Sequence, residues 1–157
     1  MTEEEPTPDE LLTELLEEVV DALDLDAEII VERTDECLLG RVEGDDLGLL
    51  IGRHGQTIDA VQHLAQRIVF PDGSSASERV IVDAGGYRER RAEELRADAD
   101  EAADEALETG EPVELESMSP QERRVVHEHL RDRTDVETHS EGDEPDRRLV
   151  ITPVAGS

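Results

Sequence analysis

The chain has 157 residues, of which 43 are Asp or Glu and 15 are basic, for a formal net charge of −28. All 15 basic residues are Arg, so Schiff-base chemistry and a lysine-dependent phosphate loop are excluded. A single Cys excludes an intrachain disulfide, and one Phe, one Tyr and no Trp exclude a core or a binding platform built on aromatic rings.

Residues 1–8 are an acidic, Pro-containing tail, expected to be disordered. From Asp9 to Leu23 the apolar positions Leu11, Leu12, Leu15, Leu16, Val19, Val20 and Leu23 predict an amphipathic helix. Ala27–Arg33 and Cys37–Val42 read as two strands joined by Thr34-Asp35-Glu36. Asp45–Ile51 reads as a short helix leading into Gly52-Arg53-His54-Gly55, and Thr57–Phe70 as a longer one that buries Ile58, Val61, Leu64, Ala65 and Ile68. A loop over residues 71–75 and a strand over Glu78–Ala84 follow. The order helix, strand, strand, helix, loop, helix, strand is the type II arrangement of a KH domain, predicted over residues 9–84.

Gly85-Gly86 marks a boundary. Tyr87–Glu108 is a long, Ala-rich, charged helix ending near Gly110, and Pro112–Leu115 a short strand. Ser119, Pro120 and Glu122 supply an N-cap, a first-turn Pro and a capping-box acid for a helix that runs to about Asp132. Asp135–His139 and Arg147–Thr152 read as two further strands. The second domain, residues 86–153, is thus predicted as two helices and three strands, and the fold class of the whole is α+β.

The G-x-x-G stretch is the most informative feature; taken alone, its four residues read equally as a glycine-rich turn between two helices, and the context on both sides favours a binding loop. Two glycines opening a helix let the backbone approach a ligand closely. The helix start offers free N–H groups and a positive dipole end. With Arg53 and His54 between the glycines, this is a loop suited to clamping the phosphates of a short single strand. Ile51, Ile58, Val61 and Val80 are candidates for an aliphatic groove floor beside it; the competing reading is that all four are core. In the capped helix Arg123 and His127 are four residues apart and share a face. They are either a phosphate-binding pair or part of a solvated face neutralised by Glu122 and Asp132.

Charge is distributed unevenly. Residues 1–51 hold 2 Arg and 18 acids, while residues 52–96 hold 7 Arg and 7 acids. Residues 97–116 hold no Arg and 9 acids, and residues 117–157 hold 6 Arg and 9 acids. A long-range basic field is therefore absent, and phosphate contacts must be local. Catalysis finds no support. His127 and His129 are two apart on a helix and point away from each other. His63 lies mid-helix and reads as packed or solvated, His139 has an acidic neighbourhood and no recognisable partner, and Cys37 reads as a small core residue. No cofactor or metal is expected, and the reading is not an enzyme.

Four stretches resemble the bacterial Jag family, also called KhpB: LLIGRHGQTIDAVQHLAQRIV, ERVIVDAGGYRERRAEEL, GEPVELESMSPQERRVVHEHL and VETHSEGDEPDRRLVITP. The resemblance spans residues 9–153 and implies a KH domain followed by an Arg-x-x-x-His single-stranded nucleic-acid-binding domain. It implies a cytoplasmic RNA-binding protein, an RNA chaperone or post-transcriptional regulator linked to cell-wall homeostasis and cell shape. A small single-KH protein, KhpA-like, is the implied partner, and stable membrane insertion is not expected. Carried onto this chain, the KH clamp is Gly52, Arg53, His54 and Gly55, and the second motif is Arg123 and His127. Tyr87, Arg88 and Arg91 open the long helix in the matching GYRERR stretch, and Arg147 and Arg148 fall in the matching EPDRR stretch. These four arginines are expected as supporting phosphate contacts. Longer family members carry an extra N-terminal domain, which this chain, starting almost directly at the KH helix, is expected to lack. Two alternatives stay open: a protein-interaction adaptor with negligible RNA binding, favoured by the acidic surface, and single-stranded DNA as the ligand.

Overall fold

In the computed structural model, which describes residues 3–73 and 78–155, the chain opens on helix α1 (Pro8–Ala22). Residues 1–2 of the expected tail and residues 74–75 of the expected loop lie outside the described residues. Thr7 and Glu10 form a capping box at the start of α1, with Pro8 in the first turn, so three local signals agree on where the helix begins. Leu12, Leu16 and Val20 form its buried stripe.

Strand β1 (Ala27–Arg33) turns back through Thr34, whose hydroxyl accepts from the N–H groups of Glu36 and Cys37, into antiparallel β2 (Leu38–Gly44). Helix α2 (Gly48–Ile51) is shorter than the predicted 45–51, because Asp45 and Asp46 fall in the preceding bend. A 3₁₀ turn (Arg53–Gly55) leads into α3 (Gln56–Val69), and β3 (Val80–Ala84) closes the sheet in the order β1-β2-β3, parallel to β2. This is the predicted type II order of helix, strand, strand, helix, helix, strand. Leu38, Gly40 and Val42 of β2 stand beside Val80, Val82 and Ala84 of β3 on one face. Helix α1 covers that face closely. A Cβ at Gly40 would lie 2.7 Å from Leu16 Cδ1 and 3.1 Å from Leu12 Cδ2. The absent side chain is what admits the helix.

Strand β3 is an edge, and α3 closes it. Gln66 accepts from the Val80 N–H at 2.7 Å and donates to the Glu78 carbonyl at 2.7 Å. Gln62, one turn earlier, accepts from the Val82 N–H at 2.9 Å. Arg88 Nε donates to the Val82 carbonyl at 2.8 Å. The unpaired ladder positions of the edge are thus satisfied by side chains of α3 and, through Arg88, of the segment that follows β3.

The chain divides into two compact units, residues 1–88 and 89–157. The division falls inside helix α4 (Tyr87–Thr109), two residues after its start, because Tyr87 packs against the first core and Arg88 bonds to α3 and β3. In the second unit α4 buries Leu95, Ala99, Ala102, Ala103 and Ala106. Strand β4 (Val113–Glu114), helix α5 (Pro120–Leu130), β5 (Val136–Glu141) and β6 (Arg148–Pro153) complete it. Its sheet is antiparallel, in the order β4-β6-β5. Val126 and Leu130 of α5 and Ile151 of β6 share the core with the alanine stripe, whose small side chains admit close packing.

Replacing both edge-closing glutamines, Gln62→Leu with Gln66→Leu, leaves the N–H groups of Val80 and Val82 unsatisfied. The expected cost is about 1–3 kcal/mol for each, read as a lower urea midpoint of the first unit's transition with no change for the second.

Candidate nucleic-acid interface

Each residue of Gly52-Arg53-His54-Gly55 has a defined backbone reason to be where it is. Gly52 sits at φ 73, ψ 178, a region open to glycine almost alone. A Cβ there would also lie 2.8 Å from Thr57 Cβ and 2.9 Å from Thr57 N. Gly55 is left-handed at φ 77, ψ 13 and buried. His54 between them is left-handed too, at φ 55, ψ 26, a conformation His adopts more readily than branched residues. The result is a tight turn with Arg53 and His54 exposed. Neither side chain has an ion pair or hydrogen bond among the described residues.

The turn delivers the chain to the N-terminus of α3, which has no side-chain cap. No side chain competes for its first-turn amides, although the Gln56 N–H already donates to the Arg53 carbonyl. The one acid in that first turn, Asp59, is bonded to Arg88 at 2.9 Å, so its charge is compensated locally. At the loop the Arg53 charge and the positive end of the α3 dipole act locally against the net negative charge of the chain.

The expected groove residues are placed differently. Ile58, Val61 and Val80 are buried in the first core, and Ile51 is half-buried against it. Ile58, Val61 and Val80 support the surface from beneath, and of the four only Ile51 reaches it. The alternation of β3 and the helical spacing of α3 make these inward positions.

The remaining predicted arginines are engaged within the protein. Arg88 bonds Val82 O, Asp59 and Gln62. Arg91 bonds Glu122 at 2.8 Å and Glu94 at 3.4 Å. Arg147 donates to the carbonyls of Gly142 and Ser140, and Arg148 pairs with Glu114 at 3.2 Å. Arg123, taken from the sequence as half of a phosphate pair, is buried, its side chain only 10% exposed. It donates to Met118 O at 2.6 Å and to the carboxylate of Glu144, holding the start of α5 to the β5–β6 loop. In a chain with 43 acids, carboxylates capture most guanidinium groups.

His127 is exposed and oriented. Its Nδ1 shares a hydrogen bond with the Thr138 hydroxyl on β5, which leaves Nε2 for a ligand. Arg131, one turn further along, is exposed, and its side chain has no bonded partner among the described residues. Arg124, on the preceding turn, is 79% exposed and pairs only with its own-helix neighbour Glu128. Positions 124, 127 and 131 fall on one face of α5 and its last turn. The sequence pattern held this signal, since the spacing of three and then four is helical, but the Arg-x-x-x-His spacing drew attention to Arg123 instead. Next to them Arg133 is held by Asp135 and Asp104. Hydrogen bonding from Arg133 keeps the Asp135 carboxyl below the ordinary carboxylate range. A cleft of about 520 Å³ lies between α5 and β5, lined by His127, Arg131, Thr138 and Val154 among others. Among the described residues no cluster of His, Cys, Asp and Glu is arranged to hold a metal ion.

Comparison with known proteins agrees with this two-part layout. The KH domain of KhpA and KhpB matches residues 9–83, and the domain family named for its Arg-x-x-x-His motif matches residues 93–153. A protein of Clostridium symbiosum named RNA-binding protein KhpB is 40% identical over 141 residues, which cover 88% of this chain and 63% of the relative. The protein of that name in Lactiplantibacillus plantarum is 37% identical over 140 residues, covering 89% of this chain and 43% of the relative. In Bacillus subtilis the values are 30% over 139 residues, 87% and 66%. The chain thus spans between 43% and 66% of the length of these relatives. It belongs to the KhpB family, also called Jag.

The burial of Arg123 separates structure from binding. Arg123→Ala should lower the stability of the second unit by about 1–3 kcal/mol, whereas Arg131→Ala should leave the melting temperature unchanged. Thermal melts of the two variants beside the parent check this.

Proposed function

We propose that this member of the KhpB family binds single-stranded RNA, gripping phosphates with the Gly52–Gly55 loop and with the exposed face of α5. The observation that carries the reading is the Arg53–His54 pair. It projects from a loop whose glycine conformations fix it outward, in front of an uncapped helix N-terminus, with no internal partner for either side chain among the described residues. Arg53 supplies a bidentate donor and His54 a second one, and the α3 amides add neutral donors that are already organised. On the second unit His127, oriented by Thr138, and Arg131 offer a further phosphate contact, with Arg124 beside them. Arg123 acts there by holding α5 in place.

Two weak sites on one chain gain affinity through effective concentration. Such a protein suits work on exposed RNA strands, as a chaperone or post-transcriptional regulator. The curated relatives named above are RNA-binding proteins by name. The finer reading places this one in the cytoplasm, in cell-wall homeostasis and cell shape, with a small single-KH protein as partner. Among the described residues no helix is long and apolar enough to cross a membrane. No catalytic step is assigned to the chain. The adaptor reading keeps one specific support, the 18 acids of residues 1–51 against 2 Arg. Single-stranded DNA is the alternative ligand, because neither phosphate grip reads a 2′-hydroxyl.

Arg53→Asp with His54→Asp should weaken binding of a short labelled single-stranded RNA by roughly tenfold or more, with an unchanged melting temperature. Equal affinity of variant and parent overturns the clamp. With about 3–5 phosphate contacts, the log–log salt slope should fall near −2 to −3.5; a slope near zero returns the adaptor reading.

A further inference from the structure

Gly55 is excluded from carrying a side chain twice over. Its backbone is left-handed, and a Cβ on it would lie 2.8 Å from Tyr87 Cε1, 3.0 Å from the Tyr87 hydroxyl oxygen and 3.2 Å from Cζ. The loop therefore turns directly against the ring of Tyr87, the one tyrosine in a chain with no Trp. The ring is half-buried and packed on the first core.

Its place is set by contacts outside the loop. Tyr87 is the first residue of α4. On its N-terminal side Asp83 Oδ1 accepts from the Ala84 N–H at 2.9 Å and from the Arg88 N–H at 3.2 Å. On its C-terminal side the Arg88 guanidinium is fastened to Val82 O, Asp59 and Gln62. The loop is tied by its own backbone. Its Gly52 N–H is held by Gly48 O at 2.9 Å and the Gln56 N–H by Arg53 O, but the Gly55 N–H reaches Gly52 O only at 3.3 Å, and no side chain caps the helix after it. A rigid ring with few rotamers thus backs a turn that contains a left-handed histidine.

We propose that Tyr87 is a positioning residue of the phosphate clamp: its ring is the wall that holds the Gly52–Gly55 turn open with Arg53 and His54 facing outward. The inference rests on the RNA-clamp reading for its purpose but not for its geometry. Tyr87 lies beyond the matched KH region, which ends at residue 83, so the working clamp includes the first two residues of α4. Pre-ordering the turn reduces the entropy lost when phosphate docks. Removing the wall frees the turn and weakens binding without removing a contact to the ligand.

The test uses the full chain with Tyr87→Ala, Tyr87→Phe and Tyr87→Leu. Hydrogen exchange is followed at residues 53–57 in the free protein, and affinity is measured with a short fluorescein-labelled single-stranded RNA. Tyr87→Ala should speed loop exchange and weaken RNA binding, each about tenfold, with exchange in β2 unchanged. Tyr87→Phe should keep both within about twofold of the parent, since it retains the ring. If Tyr87→Ala does not fold, Tyr87→Leu carries the same expectations. A double-mutant cycle adds a second reading. Gly55→Ala should weaken binding less in the Tyr87→Leu background than in the parent, because the backbone strain is common to both and the ring collision is not. Unchanged loop exchange without the ring, a Phe variant as impaired as the Ala variant, or equal costs around the cycle each overturn the assignment. Faster loop exchange in Tyr87→Ala together with no RNA binding by the parent overturns the RNA reading and leaves the positioning role standing.

Discussion

The closure of β3 by side chains is the constraint on which the first unit depends. Gln62, Gln66 and Arg88 satisfy ladder positions that an edge strand would otherwise offer to another chain. The same bonds fix α3 along its length against the sheet. They therefore fix its N-terminus, and the turn that feeds it. Arg88 extends the arrangement by neutralising Asp59 in the first turn of α3. One guanidinium thus completes a sheet edge, anchors the start of α4 and removes a negative charge from the mouth of the loop.

Arginine use elsewhere follows the same arithmetic of excess acid. Arg123 ties α5 to the β5–β6 loop, Arg91 ties α4 to α5, and Arg133 ties Asp104 of α4 to Asp135 before β5. Each partly buried pair costs desolvation, so their value is in fixing geometry rather than in net stability. Arg53, His54 and Arg131 are exposed with no ion pair or hydrogen bond among the described residues. For Arg53 and His54 the glycine-bounded turn holds them outward, and Arg131 follows the last residue of α5.

Period and caps made most of the fold legible from the residues. The helical spacing of Leu12, Leu16 and Val20, the Ser119–Glu122 capping box and the β-branched run of β3 are local signals, and the elements begin within a few residues of where those signals place them. Exposure was less legible. Leu64 and Ile68 lie at helical spacing with Ala65, yet both are exposed, because α3 turns that flank away from the sheet and buries Val61, Ala65 and Val69 instead. The fate of each arginine was not legible at all. Whether a guanidinium meets phosphate or carboxylate depends on contacts far apart in sequence, such as Arg123 with Glu144 or Arg88 with Asp59. The role of Gln62 and Gln66 was hidden for the same reason: nothing in a helix pattern says that its amides will close a sheet.

The net charge of −28 bears on what kind of binding such a surface supports. A basic protein gathers any polyanion through its long-range field, and most of that affinity carries no sequence or shape information. Here the field repels at distance, and on the proposed reading attraction is local, at exposed guanidinium groups such as those of Arg53 and Arg131. On that reading a strand must fit the turn before it is held. Structured duplex, whose phosphates run along a rigid surface, meets the acidic flanks together with the clamp, whereas a flexible single strand bends to reach the loop alone. Repulsion thus acts as a selector, lowering association with the wrong polyanions more than with a strand that fits. On the proposed reading, acidity and RNA binding are compatible in this chain because the contacts are few, local and, at the glycine-bounded turn, held out by backbone geometry.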